Sequence, residues 1–388
     1  LTDVVHKTTL PDGRQVWMVK GYAEARSAFT DPRLSNDTTR MGAMDPLASL
    51  PAEIKSLIAM DMLNSDPPEH TKRRKRLAPA FTGRKIATLR PLVSGIVDEI
   101  IDALDGRRDV DLVEMYASQV SVRVLAEIVG IAAQDLENVR SWSDTFVKEL
   151  LVVSDSLLDA TRSLLGYCYE LVARKRAAPG DDLVSQLVSS FDTADQAADD
   201  ELASTVFILL IAGQTATAQL IAKALALLLT HPTQLEMLRA EPALISSAVE
   251  EVLRVSPPLS ISGFRLTTEP VTIAGTTIPA GEIVICSLDD ANRDETRFVA
   301  PGEFDVRRED NQHLSFGHGI HRCLGVHLAR LEAEIAIGEL IGRFPDARLA
   351  IHSDQLTWVE RGIMRTLEAL PVHLRCPTSV PVSAAAGQ

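Results

Sequence analysis

The chain of 388 residues carries 39 Lys and Arg against 53 Asp and Glu, a formal net charge of −14. Its length exceeds the roughly 250–300 residues at which one core stops growing, so two domains or one large fold are the alternatives. A composition of 46% hydrophobic and 24% charged residues excludes disordered and fibrous classes, and the acidic balance argues against nucleic acid or an anionic membrane as main partner.

Asp12-Gly13 is a hairpin turn signal, and residues 15–20 follow as a short strand. Residues 22–29 read as a helix stopped by Asp31-Pro32. The 33–65 stretch reads as irregular and holds Met41, Met44, Met60 and Met62, soft side chains suited to an adaptable surface or to filling gaps. From 69 to 229 the pattern is mostly helical. Leu92, Ile96, Val97, Ile100 and Leu104 mark one buried stripe, and residues 120–129 and 156–174 repeat the period. Residues 179–182 form a break and 192–200 an acidic loop. A long helix is predicted from about 201 to 230, ended by His231-Pro232. Its uncharged run, 202–222, reaches bilayer length. It contains Ser204, Thr205, Gln214, Thr215, Thr217 and Gln219, so a helix buried in protein fits better than a membrane span. A helix over 243–255 closes at Pro257-Pro258, short strands follow at 271–274 and 282–288, and a last helix is predicted over 323–343. The tail from 377 reads as disordered. No membrane segment or signal-peptide pattern is expected, and Leu1 points to trimming or an unusual start codon. The scattered Cys168, Cys286, Cys323 and Cys376 make no disulfide framework and suit a reducing cytoplasm. The whole reads as helix-rich with a minor β region.

The chemistry concentrates in Phe316-Gly317-His318-Gly319-Ile320-His321-Arg322-Cys323-Leu324-Gly325. Its glycines allow a tight loop and close approach of backbone to a flat ligand. Cys323 falls at a helix start, where free N–H groups and the macrodipole favour a thiolate. With this loop the sequence resembles the cytochrome P-450 family, in particular its soluble bacterial members. The resemblance implies a mainly α, triangular-prism fold in a single domain over 1–376, with 377–388 as the tail. It implies heme b with Cys323 as axial thiolate and metal ligand, in a loop shaped by Phe316, Gly319 and Gly325, and a thiolate favours O–O cleavage.

Other segments extend the resemblance over nearly the whole chain. Glu251-Val252-Leu253-Arg254 matches the family's Glu-x-x-Arg motif. Glu303 stands where the family often has the third partner, leaving Arg307 or Arg308 to substitute. His70 and Arg74 share a helix face that the family turns to a haem propionate, and Arg265 and His321 match its other propionate contacts. Residues 179–183 and 291–294 are further family-like segments. The five cations 72–76 suggest nucleic acid, but the acidic whole and the lack of aromatics count against it; the resemblance would place them where an acidic ferredoxin docks, and a merely solvated face is the alternative. In Ala212-Gly213-Gln214-Thr215-Ala216-Thr217 the family's acid position holds Thr215 and its alcohol position Ala216. Protons then have to come through water, Gln214, Thr215, Thr217 or a substrate hydroxyl.

The resulting expectation is a cytoplasmic haem-thiolate monooxygenase fed by ferredoxin and ferredoxin reductase. It would insert one oxygen atom from dioxygen into an apolar small molecule, as in tailoring a polyketide or peptide natural product. Its pocket would be lined from 41–62, 206–216, 259–263 and 363–364. The alternatives are the same fold with oxidative aromatic coupling, peroxide-driven oxidation or nitric oxide reduction, and a non-catalytic haem sensor.

Overall fold

The computed structural model describes residues 3–11, 13–45, 47–48, 50–150, 154–191 and 195–374. Asp12, Cys376 and the 377–388 tail lie outside the described residues. Two apolar helices, Gln196–Gly213 and Thr215–Thr230, run through the middle. The first packs on Asp155–Ala177 and Leu136–Glu149, the second on Ser118–Val129, Ile245–Val255 and Val326–Arg343. Together they are long and apolar enough to cross a membrane, and 61% of the most apolar stretch is buried inside the protein, as a core element should be.

The single long helix expected from sequence is interrupted at Gln214, whose ψ of −72° departs from helical geometry. At the break Ser121 Oγ donates to the Gly213 and Gln214 carbonyls, at 3.3 and 2.8 Å, and the Gln214 carbonyl also accepts the Ala218 N–H that opens the next helix. Gly213 eases the crossing: a Cβ there would stand 3.1 Å from both methyl groups of Leu125 on the crossing helix, tighter than ordinary contact. The helix also starts earlier than expected, at Gln196, because the Asp195 carboxylate caps the Ala198 N–H. Three further expectations are corrected. A short helix, Ala52–Ile58, lies in the stretch read as irregular. Leu92 is exposed, Val93 taking its place on the buried stripe of Arg90–Leu104. The last helix begins at Val326, three residues after Cys323.

The β region is small. Val5–Thr9 and Gln15–Val19 form the expected hairpin, with Gly13 at φ +86°. Ile283–Cys286 joins Gln15–Val19 in parallel, and Arg265–Thr267 and Leu34–Ser35 complete a five-stranded sheet. This sheet carries Arg265 into the interior.

Lys223, on the Thr215–Thr230 helix, is 1% exposed and donates to the Pro257 carbonyl at 2.7 Å. Burial lowers its ammonium from 10.5 to about 8. The unfolded chain therefore binds more protons than the folded one between about pH 8 and 10.5, so folding strengthens as pH rises through that window. Below it the desolvation penalty, on the order of 3 kcal/mol, stands in full. Lys223→Met removes that penalty and loses one hydrogen bond, about 1 kcal/mol. The variant should be more stable by about 2 kcal/mol at pH 7 and by less at pH 10 in urea unfolding. An equal gain at both pH values would refute the assignment.

Candidate haem-thiolate site

The loop before Val326 is shaped by its glycines. Gly317 and Gly319 sit at φ +67° and +78°, and a Cβ on Gly319 would stand 3.0 Å from the Phe29 carbonyl oxygen. The Cys323 N–H donates to the Phe316 carbonyl at 2.9 Å and closes the loop. Cys323 is exposed rather than packed into the core, while the protein around it still desolvates the thiol. Burial raises the thiol, opposed by the N–H of Gly325, the N-cap of the last helix, and by Arg74, Arg322 and Arg330. A Cβ at Gly325 would stand 4.0 Å from Sγ, within ordinary contact.

Four donor side chains gather beside this thiol. The His70 and His321 rings lie 4.3 Å apart. Burial lowers both imidazoles, His321 to about 3, with His70, Arg265 and Arg74 adding to the effect on His321. Neither ring nitrogen of His70 has a well-formed hydrogen bond, although the Ile320 carbonyl is close enough to favour its proton. Arg265 is 5% exposed and has only a 3.5 Å contact to the Leu34 carbonyl, besides stacking over Phe29. Arg74 donates to the Arg322 carbonyl at 2.8 Å. The neighbouring carboxylate, Asp66, is engaged by the Ser35 hydroxyl and the Asn36 N–H. Buried guanidinium and imidazole donors without a carboxylate partner fit an anionic ligand. Two propionates beside a thiolate-held iron are such a ligand, so the residues present would accommodate haem.

Val206, Phe207 and Leu210 are packed into the core, contrary to the expected lining, whereas Ile208, Ala212 and Ala216, four residues apart, stay open along one face. Met41, Phe264, Met44, Ile261 and Ile363 belong to one apolar core cluster, whereas Met62 packs on the main core. Gln214 and Thr215 line a separate cleft with Asp144, and Thr217 is buried without reaching it. Asp144 was not visible in the sequence, because nothing local links it to a residue 71 positions away.

The Glu251–Arg254 pair is fully buried, and its third partner is Arg308, whose Nε reaches both Glu251 oxygens at 3.1 Å. Arg307 instead pairs with Glu241, and Glu303 contributes its backbone carbonyl to Arg254 rather than its side chain.

A family model described as "Cytochrome P450" matches residues 173–346. Cytochrome P450 107B1 of Saccharopolyspora erythraea is 39% identical over 95% of this chain and 92% of its own. Cytochrome P450 monooxygenase PikC of Streptomyces venezuelae is 40% identical over 95% and 88%. The solved tirandamycin C-bound P450 monooxygenase TamI superposes with a TM-score of 0.86 at 37% identity, covering 96% of this chain and 94% of that one. With this likeness along almost its whole length and the cysteine loop in place, the chain belongs to the cytochrome P450 family and is an oxidoreductase of the monooxygenase type.

Proposed function

We propose that the chain is a single domain over 1–376 that holds heme b through Cys323 and oxygenates an apolar natural product in the cytoplasm. The observation that carries this reading is the exposed Cys323 beside four donors that lack a carboxylate partner. Bound there, haem would supply the redox chemistry that activates dioxygen. Arg74 and Arg265 would hold the propionates as charged donors, and the neutral rings of His70 and His321 as N–H donors. Ile208, Ala212 and Ala216 would present small and aliphatic groups to the substrate, while the cluster around Met41, Phe264 and Ile363 would exclude water from it. Binding of tirandamycin C to a relative supports a small organic molecule as the ligand. Spectral titration of the ferric holoenzyme with macrolides and lipopeptides tests the proposal. Saturable displacement spectra are expected, and their absence with every apolar ligand would count against it.

Electrons would come from ferredoxin and its reductase. In the basic run, Arg73 is half-buried and donates to the Asp61 carbonyl, and Arg76 engages Glu201, so both are partly structural. Lys72 and Lys75 are the freely presented members, Lys72 holding only the exposed Glu69. Lys72→Glu with Lys75→Glu should slow reduction by an acidic ferredoxin roughly tenfold at low salt and flatten the salt dependence. Ligand titrations should not change. Stopped-flow reduction indifferent to both substitutions would place the docking face elsewhere. The occupants of the acid and alcohol positions, Thr215 and Ala216, favour the second reading, the same site with non-standard oxidation. NAD(P)H consumption matched by an oxygenated product separates the two.

A further inference from the structure

Glu250 stands one residue before the Glu251 of the buried pair, on the Ile245–Val255 helix, and turns to different partners. Its carboxylate meets Arg330 of the Val326–Arg343 helix in a bidentate pair, Nε and Nη2 each donating at 2.6 Å. His313 joins them, its Nε2 standing 3.3 Å from Glu250 Oε2. The Ser315 N–H donates to His313 Nδ1 at 3.2 Å, so the proton of the neutral ring sits on Nε2, towards the carboxylate. Burial raises the Glu250 carboxyl, but His313 and Arg330 outweigh it and bring the group down to about 2. It is therefore a carboxylate throughout the neutral range. Glu334, four residues on from Arg330, is held instead by the Ser246 hydroxyl at 2.7 Å and by Arg90 at 3.6 Å.

The guanidinium held in this way lies over the Phe316 ring, 5.1 Å from its centroid, and the His313 ring meets the same phenyl group at 5.8 Å between centroids. Phe316 in turn accepts the Cys323 N–H on its carbonyl. Of the three guanidinium groups whose charge acts on Cys323, Arg330 alone has a carboxylate partner among the described residues. From this geometry we infer that Glu250 is a positioning residue of the haem-thiolate centre: it fixes Arg330 on Phe316 and balances that cation's charge beside Cys323. This role rests on the haem-thiolate assignment to Cys323. A thiolate-held iron gains one negative charge on one-electron reduction, with no proton moved and no bond broken. A nearby cation favours the reduced state and a nearby carboxylate opposes it. Together Glu250 and Arg330 hold the reduction potential between the two limits that either charge alone would impose.

The test is a redox titration of the substrate-free holoenzyme with dithionite, in wild type, Glu250→Gln, Arg330→Gln and the double variant. At about pH 8.5, above the ordinary imidazole range, no imidazole supplies a compensating charge. Glu250→Gln should raise the potential and Arg330→Gln lower it, each by roughly tenfold in the equilibrium constant for reduction, about 59 mV for one electron. The double variant should return to within about threefold of wild type, because both charges are gone together. Arg330→Lys and Glu250→Asp keep the charges and should also stay within about threefold, which guards against neutral variants that lose haem. Potentials that move in the same direction in the two neutral single variants, or that stay unmoved in both, would overturn the role. So would a double variant shifted as far as either single one, or an Arg330→Lys potential as low as that of Arg330→Gln. The ferrous-CO spectrum separates the two levels. A red-shifted band with unmoved potentials overturns the role of Glu250 alone, whereas no red-shifted band in the wild type overturns the haem assignment beneath it.

Discussion

Cys323→Ala is expected to abolish the red-shifted Soret band of the ferrous-CO complex and all NAD(P)H-driven product formation. The reason is geometric. Among the described residues the other cysteines, Cys168 and Cys286, are fully buried in the packed core, and burial raises both thiols, Cys286 to about 11. Cys286 sits in a strand and Cys168 in the interior of a helix, so neither can move to face the site. Among the described residues only Cys323 combines an exposed position with a helix-terminal N–H and three neighbouring guanidinium groups that favour the thiolate. The loop is held by the Cys323 N–H to Phe316 bond, which alanine retains, so far-UV circular dichroism should be unchanged. Cys323→His guards against the trivial outcome in which haem is simply not retained. It can bind iron, and its CO complex should show a haem band without the red shift. A red-shifted band surviving in Cys323→Ala would falsify the assignment of the ligand.

The legibility of this molecule follows the range of its interactions. The cysteine loop was readable because its features are local: two glycines at positive φ and a cysteine placed by a bond to Phe316, seven residues upstream. The helices over 90–104, 118–129 and 155–177 were readable because their burial stripes repeat at the helical period. The break at Gln214 was not, since it is stabilised by Ser121 from another helix and by the closeness of Leu125 to Gly213. Nothing in an apolar run announces such a partner. The acid beside Thr215 was hidden for the same reason. The early start at Gln196 is different: Asp195 is a capping residue that the acidic run concealed. Arg307 and Arg308 show the limit most plainly. They are adjacent and chemically identical, and only the course of the backbone turns one to Glu251 and the other to Glu241.

That difference supports the second large effect. Arg254 and Glu251 are both 0% exposed and meet in a bidentate pair at 2.8 Å. The remaining guanidinium protons go to the carbonyls of Asn292, Pro301 and Glu303. Glu251 accepts further from Arg308, from Asn311 Nδ2 and from the Asp305 N–H. A buried pair with every donor and acceptor used is destabilised strongly when one partner goes, because the other charge stays behind unpaired. Glu251→Gln and Arg254→Leu should therefore each lower unfolding free energy by about 3–5 kcal/mol. Arg254→Lys should fare little better, since an ammonium cannot reproduce the fork that reaches Glu251 and three carbonyls at once. The loss extends to the thiolate loop: Ser315 Oγ donates to the Leu253 carbonyl at 2.6 Å, and Asn292 holds both Ser315 Oγ and the Leu314 N–H. Haem content per chain should fall with stability in these variants. Arg308→Ala leaves the central pair intact but strips Glu251 of one charged donor, an effect of about 1.5–3 kcal/mol. Arg307→Ala breaks only an exposed pair and should stay within about 1 kcal/mol of wild type. Urea unfolding of the set, with haem content measured in parallel, checks the ranking. Equal losses for Arg307→Ala and Arg308→Ala would show that the buried network does not set the stability of this region.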